Sequence, residues 1–510
     1  MDSESQSSNE NKPRCEPVEK ADGVTAAERY LGQLCERSFL SLWSYPGLFR
    51  DQGKPQNGGH GKEICDLLVV FGQHIIVFSD KHCQFQNSRN VELDWQRWFK
   101  KAVQKSAEQA WGARRWIQQN PARIFLDREC KQPLPINLPS AETAVFHLVV
   151  VAHGVSKHIK QLFRDSSGSL MVNTDIKGFD KHTFPFYVGD LEPQKTFVHI
   201  FDDASLQILM TTRDTVADFV AYLSKREKLF RGQRAIRATG EEQLLAIYLK
   251  NLNEDNEHDF VFEIAPGQVV DKIFIPEGHW EDFQKAPERI AQLNADKASY
   301  AWDGLIEKFN YHALQQKQYF VSPGGIKDTE QALRFMAREP RWKRRGLAQS
   351  LVEMLKITPD NKRRLRVLPP IENGDPHYVF LLFPHLPSFT YEQYRTARRN
   401  FLESCCIVAR LEYPKATDII GIATESGMDR QDGRSEDLIY LDVREWDENQ
   451  ESHAKQLKDK FRIFKKPQQI GFHLEEYPGA AIASTKMKNP RNKPCPCGSG
   501  KKYKHCCLNK

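Results

Sequence analysis

No stretch of this 510-residue chain approaches the run of about eighteen apolar residues that a membrane-crossing helix needs, so no membrane span is expected. The opening segment, residues 1–23, has no apolar core either. It is therefore not expected to be a secretory signal and reads as a disordered leader. A disulfide framework is missing as well. Seven of the eleven cysteines (Cys15, Cys35, Cys65, Cys83, Cys130, Cys405 and Cys406) are scattered, as expected of reduced thiols in a cytoplasmic protein. There is no P-loop, no dinucleotide fingerprint, no G-x-S-x-G elbow, no H-E-x-x-H and no internal repeat.

What is present is ordinary in amount and uneven in distribution. Forty per cent hydrophobic and 27% charged residues suit a globular protein, and the length suits several domains with real cores. The net charge of +6 is concentrated at one end. From Lys486 to Lys510 there are eight basic residues and no acidic one, leaving 65 basic against 67 acidic, a net of −2, in the rest. The tail is therefore the natural contact for nucleic acid, ribosome or an acidic protein, or simply a solvated end.

Apolar patterning predicts an α/β multidomain chain. A helix opens residues 24–50, followed by a Pro-Gly turn at 46–47. The runs Ile64–Phe71 and Ile75–Phe78 read as a hairpin, a long helix spans 95–119, and Val145–Ala152 is a buried strand. This block, 24–165, forms the first α/β unit. A mixed α/β and helical region follows over 166–375, with strand Thr196–Phe201, helices at Leu206–Met210 and Val216–Phe230, and Asp214-Thr215 as a cap. A second small α/β region covers 376–476, with strands at Tyr378–Phe383, Cys406–Glu412, Ile419–Thr424 and Leu438–Val443 and a helix at 390–404. Residues 477–494 are a linker, and 495–510 a separate knuckle.

The knuckle carries Cys495, Cys497, Cys506 and Cys507, spaced C-x-C-x8-C-C, with glycines that let the backbone reverse between the pairs. Four soft thiolates this close suit one tetrahedral Zn²⁺. Cys495, Cys497 and Cys506 are three ligands, and the fourth is Cys507 or His505. So short a unit buries almost no apolar surface, so zinc would supply its folding energy. The run CPCGSGKKYKHCC resembles the SEC-C motif, the small zinc knuckle found at the C-terminus of the bacterial preprotein-translocase ATPase and of other bacterial proteins. That resemblance implies an accessory module with a possible protein partner, and it leaves the main activity open.

The first unit carries the candidate chemistry. On the opening helix Glu28 falls on the face of Leu31, Cys35, Phe39 and Leu42, whereas Glu36 is turned to solvent. Strand alternation puts Ile64, Asp66, Leu68 and Val70 on one face, and Ile75, Val77, Ser79 and Lys81 together, with Asp80 opposite. A hairpin aligning these strands brings Asp66 near Ser79 and Lys81. On the long helix Ser106 and Gln109 sit within a face formed by Trp95, Trp98, Phe99, Ala102, Ala113 and Trp116, where polar groups need partners.

Together, Glu28, Glu63-x-x-Asp66 and Ser79-Asp80-Lys81, followed by Ser106-x-x-Gln109, resemble the PD-(D/E)XK nuclease superfamily, the restriction-endonuclease-like fold, over residues 24–155. The resemblance implies Asp66 as the second-strand acid, Lys81 as the signature lysine and Glu28 as the first-helix glutamate. Ser106 and Gln109 would be the polar residues of the following helix. It implies Mg²⁺ or Mn²⁺ held by Asp66 and Glu28, a water oriented by Lys81, and backbone contacts from Arg97, Lys100, Lys101, Lys105 and Arg114. Ser79 departs from the pattern, since an acid is expected there. Either a backbone carbonyl completes the site, or a bulge turns Asp80 inward, or the site is inert.

Other clusters read as structural. Asp202-Asp203 ends a strand and suits a helix cap more than a metal, the basic run Arg338–Arg345 and the cluster Lys362–Arg366 suit a solvated face as well as phosphates, and Cys405-Cys406 suits the core. The expected function is metal-dependent hydrolysis of DNA, less readily RNA, in genome or anti-phage defence, by a chain able to oligomerise. The alternative is an inert nuclease fold acting as an adaptor, docked on ribosome, chaperone or translocation machinery by its zinc tail.

Overall fold

The computed structural model describes residues 25–51, 61–163, 166–255, 257–262, 270–320, 325–372, 374–428 and 434–465, with short pieces at 18–20, 22–23, 467–468, 471 and 474–478. The knuckle at 495–510 and most of the expected leader lie outside these residues. Where the leader is described it is engaged: Val18 N–H donates to Leu314 O at 2.9 Å, and Lys20 Nζ donates to Ser44 O at 2.7 Å.

Helix α1 (Ala26–Phe39) starts at a capping box: Glu28 N–H donates to Thr25 Oγ1, and Thr25 N–H to Glu28 Oε2. Strand β1 (Ser44–Arg50) follows and contains Pro46 and Gly47, the latter at φ +59°. The expected Pro-Gly turn is thus an irregularity inside an edge strand, where a missing N–H is tolerated. Strands β2 (Lys62–Phe71) and β3 (His74–His82) form the hairpin, with Leu67 opposite Phe78 and Val70 opposite Ile75.

The long helix is three pieces: α2 (Val91–Phe99), a π-helical turn at Lys100–Gln104, and α3 (Lys105–Gln119). It crosses to β4 (Val145–His153), parallel to β3, and α4 (Ser156–Leu162) follows. The main sheet runs β1-β2-β3-β4-β7, its last strand being β7 (Val198–Phe201), parallel to β4. Alternation puts Phe78 on the α1 face, where its ring lies 6.3 Å from Phe39. Ile64, on the opposite face, lines a groove with Ala113 and Trp116 of α3.

A second sheet, ordered β6-β5-β8-β9, contains β5 (Met171–Lys177), β6 (Tyr187–Asp190), β8 (Ala235–Ala238) and β9 (Lys272–Ile275). Helices α6 (Val216–Arg231) and α7 (Glu241–Lys250) pack on it, whereas α5 (Asp203–Thr212) packs on β4 and β7 of the main sheet. Asp202 caps α5 and Thr215 caps α6, each accepting a backbone N–H three residues on. Helices α8 (His279–Lys285), α9 (Pro287–Asp296), α10 (Tyr300–Leu314), α11 (Ile326–Ala337) and α12 (Arg341–Ile357) form the helical middle.

The third sheet, β10-β11-β12-β13, comprises β10 (Arg364–Leu368), β11 (His377–Phe383), β12 (Asp418–Glu425) and β13 (Glu436–Asp442). Helix α13 (Tyr391–Glu412) joins β11 to β12, and α14 (Glu448–Phe461) packs against it. Cys406–Glu412, expected as a strand, is the last part of α13. A capping box at Thr390 starts that helix, and the buried residues Leu402, Cys405, Cys406, Val408 and Ala409 keep helical spacing to its end.

The basic run at 338–345 is not a solvated face. Arg341, Lys343, Arg344 and Arg345 are all buried. Arg341 pairs with Asp214 at 2.8 Å and Asp303 at 2.6 Å, Arg344 with Asp303 at 2.7 Å, and Arg345 with Asp296 at 3.1 Å. These guanidinium groups hold α12 to α6, α9 and α10 and are spent on that role.

Candidate active site

At the open end of the hairpin the regular ladder stops at Leu67 and Phe78. Beyond it, Asp80 N–H donates to Asp66 Oδ2 at 2.6 Å. A side-chain carboxylate thus takes a place that a main-chain carbonyl fills elsewhere in the sheet. Burial pushes the Asp66 carboxyl up to about 7; the Asp80 N–H pulls it down, while the charges of Glu63, Asp80 and Glu28 add to the rise. Partial desolvation and the Glu28 charge push Glu63 up too. Three carboxylates, Glu63, Asp80 and Glu28, therefore lie within electrostatic reach of Asp66.

Asp80 turns away from Ser79 and Lys81 without a bulge, since the β3–β4 register is continuous from His74 to His82. Its side chain is 2% exposed, and His153 Nε2 at the end of β4 lies 2.5 Å from Oδ1. The contact is close but not aligned as a hydrogen bond. Neither Asp80 oxygen has a donor of good geometry among the described residues. His153 also faces Asp203 at 3.9 Å and stacks on His82 at 6.0 Å between ring centroids. Burial works against its charge, but the Asp80 contact and the charges of Asp80 and Asp203 outweigh it and raise its pKa. Trp98 Nε1 donates to Cys83 O at 3.0 Å and His153 O at 3.2 Å, clamping the ends of β3 and β4. Gly154, at φ +96°, is required there, because a Cβ would meet Cys83 O at 2.2 Å.

The other expected residues are distributed as follows. Lys81 is exposed at the end of β3 and has no ion pair among the described residues. Ser79 is 1% exposed beneath it, and Ser106 is 2% exposed with no partner for Oγ among the described residues. Glu63 is exposed at the start of β2. Glu28 is half-buried, but its carboxylate serves the helix cap. Gln109 is exposed, contrary to expectation. The π turn adds a residue to one turn of the helix, so α3 is out of phase with the face extrapolated from Trp95 and Trp98. Arg97, Lys100, Lys101 and Lys105 are exposed, whereas Arg114 lies over the Phe146 ring at 5.4 Å.

Among the described residues no three His, Cys, Asp or Glu side chains converge as a ready-made metal cage. The donor set fits a hard cation that keeps most of its water and is held by one or two carboxylates, as Mg²⁺ commonly is. The raised carboxyl of Asp66 is what such a charge would relieve. Sequence reasoning missed His153. Its signal was a polar residue followed by glycine at the carboxyl end of an apolar strand, where open α/β sheets place ligands.

Comparisons with known proteins bear on the tail alone. Residues 491–509 match the SEC-C motif family. The chain is 49% identical over 49 residues to protein translocase subunit SecA of Geotalea uraniireducens, covering 10% of this chain and 6% of that protein. It is 83% identical over 23 residues to SecA of Nitratiruptor sp., 4% of this chain and 3% of that protein. It is 55% identical over 42 residues to SecA of Stutzerimonas stutzeri, 8% and 5% respectively. The chain thus spans only a small fraction of the length of these curated relatives. No solved structure matches. Among the described residues no helix is long and apolar enough to cross a membrane.

Proposed function

We propose that the first unit is a metal-dependent nuclease that hydrolyses phosphodiester bonds of DNA. The observation that carries this reading is the pairing at the hairpin's open end. A half-buried, raised Asp66 carboxylate accepts from the backbone N–H of Asp80, whose own side chain lies against His153, and Lys81, without an ion pair among the described residues, follows directly. The element order α1-β1-β2-β3-α2/α3-β4 accords with the restriction-endonuclease-like arrangement that the sequence resembles. Asp66 would hold Mg²⁺ or Mn²⁺, with water and a backbone carbonyl completing the shell, and Glu28 and Asp80 would supply background charge. When bound, the cation offsets charge on the phosphate and lowers the pKa of a bound water. Lys81 orients the attacking water and stabilises developing negative charge. His153 fixes Asp80 from behind, and Ser79 leaves space on the Lys81 face where an acid was expected.

The test is cleavage of supercoiled, linear and single-stranded DNA and of RNA with Mg²⁺ or Mn²⁺, beside Asp66→Ala and Lys81→Ala. Loss of about 10²-fold or more in both variants is the expected result. Equal cleavage by all three proteins removes the proposal.

The SEC-C match favours a second reading for the tail: a zinc knuckle, ligated by Cys495, Cys497, Cys506 and either Cys507 or His505, that docks the chain on a protein partner. One zinc per chain by elemental analysis, lost on Cys495→Ser with no change in the melting of the rest, is the expected outcome. A metal-free wild-type protein removes it.

A further inference from the structure

A groove of 370 Å³ runs between α3 and the β1–β2 edge, beside the proposed site. Arg50, Lys62 and Arg115 line it, together with Gln109, Trp116 and Gln119. None of the three cations has an ion pair among the described residues, in a chain where most buried and many exposed cations are paired. Two carboxylates, Glu63 and Glu108, also line the groove. Glu108 accepts from Gln104 Nε2 at 3.2 Å, and the charge of Glu63 is felt by Asp66 and eased by Arg128.

Trp116 sets the character of the wall. The guanidinium of Arg50 lies over its ring at 4.6 Å and that of Arg123 at 5.2 Å. The ring is therefore occupied by cations and offers no platform for a base. Arg123 in turn is tied to Asp51. Arg50 is thus held in place by stacking and keeps its donors for a ligand. The Trp116 Nε1 donor is buried with no acceptor among the described residues. The groove therefore offers donors in excess and little for a base to stack on, which is the chemistry of phosphate oxygens.

Its position gives the second half of the argument. Ile64 lines the groove and Asp66 follows two residues along the same strand, about 6.6 Å away. That is about one step between successive phosphates of a strand, whose spacing exceeds the axial rise of about 3.4 Å because they also turn about the duplex. We propose that this groove is a phosphate-binding subsite: Arg50, Lys62 and Arg115 hold the DNA backbone close beside the bond presented to Asp66. The contact is sequence-independent and positions the strand. It rests on the nuclease reading for the identity of the polymer.

The test separates the two. A labelled 20-base-pair DNA duplex is titrated with full-length protein in EDTA, where no hydrolysis occurs, across a salt series. Arg50→Ala and Lys62→Ala should each weaken binding about eightfold at 0.1 M salt and lower the slope of log affinity against log salt by about 0.9. Lys285→Ala and Lys455→Ala, which remove exposed cations on other elements, should leave both unchanged. The charge-preserving Arg50→Lys, with melting curves, guards against loss of fold: it should retain more than half of the salt slope that Arg50→Ala loses. Binding lost in the alanine variants while wild type fails to cleave with Mn²⁺ supports the groove and sinks the nuclease. Unchanged affinity and slope in both alanine variants, no duplex binding by wild type, or tighter binding to an RNA hairpin than to the duplex overturns the groove as a DNA subsite.

Discussion

Asp66 and Asp80 are neighbours with different environments, and their protonation follows from that. Asp66 is held at about 7 by burial, far above an unfolded aspartate near 3.8. Between those values the folded state binds the extra proton, so stability falls as pH rises through that window. Asp66→Asn should therefore stabilise the protein at pH 8, by on the order of 1–2 kcal/mol after solvent screening, and have little effect at pH 4. Denaturant melts at the two pH values check this. The same proton competes with a cation. Mn²⁺ affinity, measured by calorimetry, should be about tenfold weaker at pH 6 than at pH 8. His153 shows the same pH direction from the opposite cause, since here the charged form is the one held in place. Its raised pKa means that the Asp80 contact stabilises fully below an ordinary histidine pKa and fades as pH rises through the folded value. His153→Ala should cost about 1–3 kcal/mol at pH 6 and less at pH 9.

At the scale of elements, two helices show how local rules combine. Thr25 and Glu28 form a reciprocal cap at α1. The T-x-x-E spacing was in the sequence, yet the inward placement of Glu28 drew attention to catalysis first. The two roles can be separated. Glu28→Gln keeps an acceptor for the Thr25 N–H and should leave stability within a few tenths of a kcal/mol, whereas Glu28→Ala should cost about 0.5–1 kcal/mol in thermal melts. In the α2–α3 helix, Trp95 and Trp98 were placed correctly, because the repeat is regular up to Phe99. Past the π turn it was not: Gln109 emerged on the groove, and Ser106 stayed buried with Ala107 and Ala110. No residue in Lys100–Gln104 announces a π turn. Trp98 Nε1, donating to Cys83 O, and Trp95 Nε1, donating to His182 O, fix the helix just before it.

Across the whole molecule, buried ion pairs join units that the sequence left unrelated. Asp303 on α10 accepts from both Arg341 and Arg344, and Arg341 reaches Asp214 at the start of α6. Removing Asp303 strands two guanidinium groups in the interior. Asp303→Ala should cost about 3–5 kcal/mol, and Asp303→Asn less. Calorimetric melting of both variants checks the order. The segment before the tail is anchored in the same way: Glu476 accepts from Gln292, and Tyr477 OH donates to Leu249 O at 3.1 Å. The expected boundary at 476–477 therefore falls on a point fixed to the helical middle.

The hairpin, its turn, the caps at Asp202 and Thr215 and the cysteine pattern of the tail were legible from sequence, because each depends on residues within a few positions of one another. Alternation along one strand sufficed to oppose Asp80 to Lys81. What lies behind Asp80 was not legible. His153 comes from a strand that joins the sheet only after a crossover, and α1 seals that face from the other direction. The fate of Arg341–Arg345 was decided in the same way. Their charges suggested solvent, and only packing against Asp214, Asp296 and Asp303 made burial affordable, since an unpaired cation could not be desolvated there.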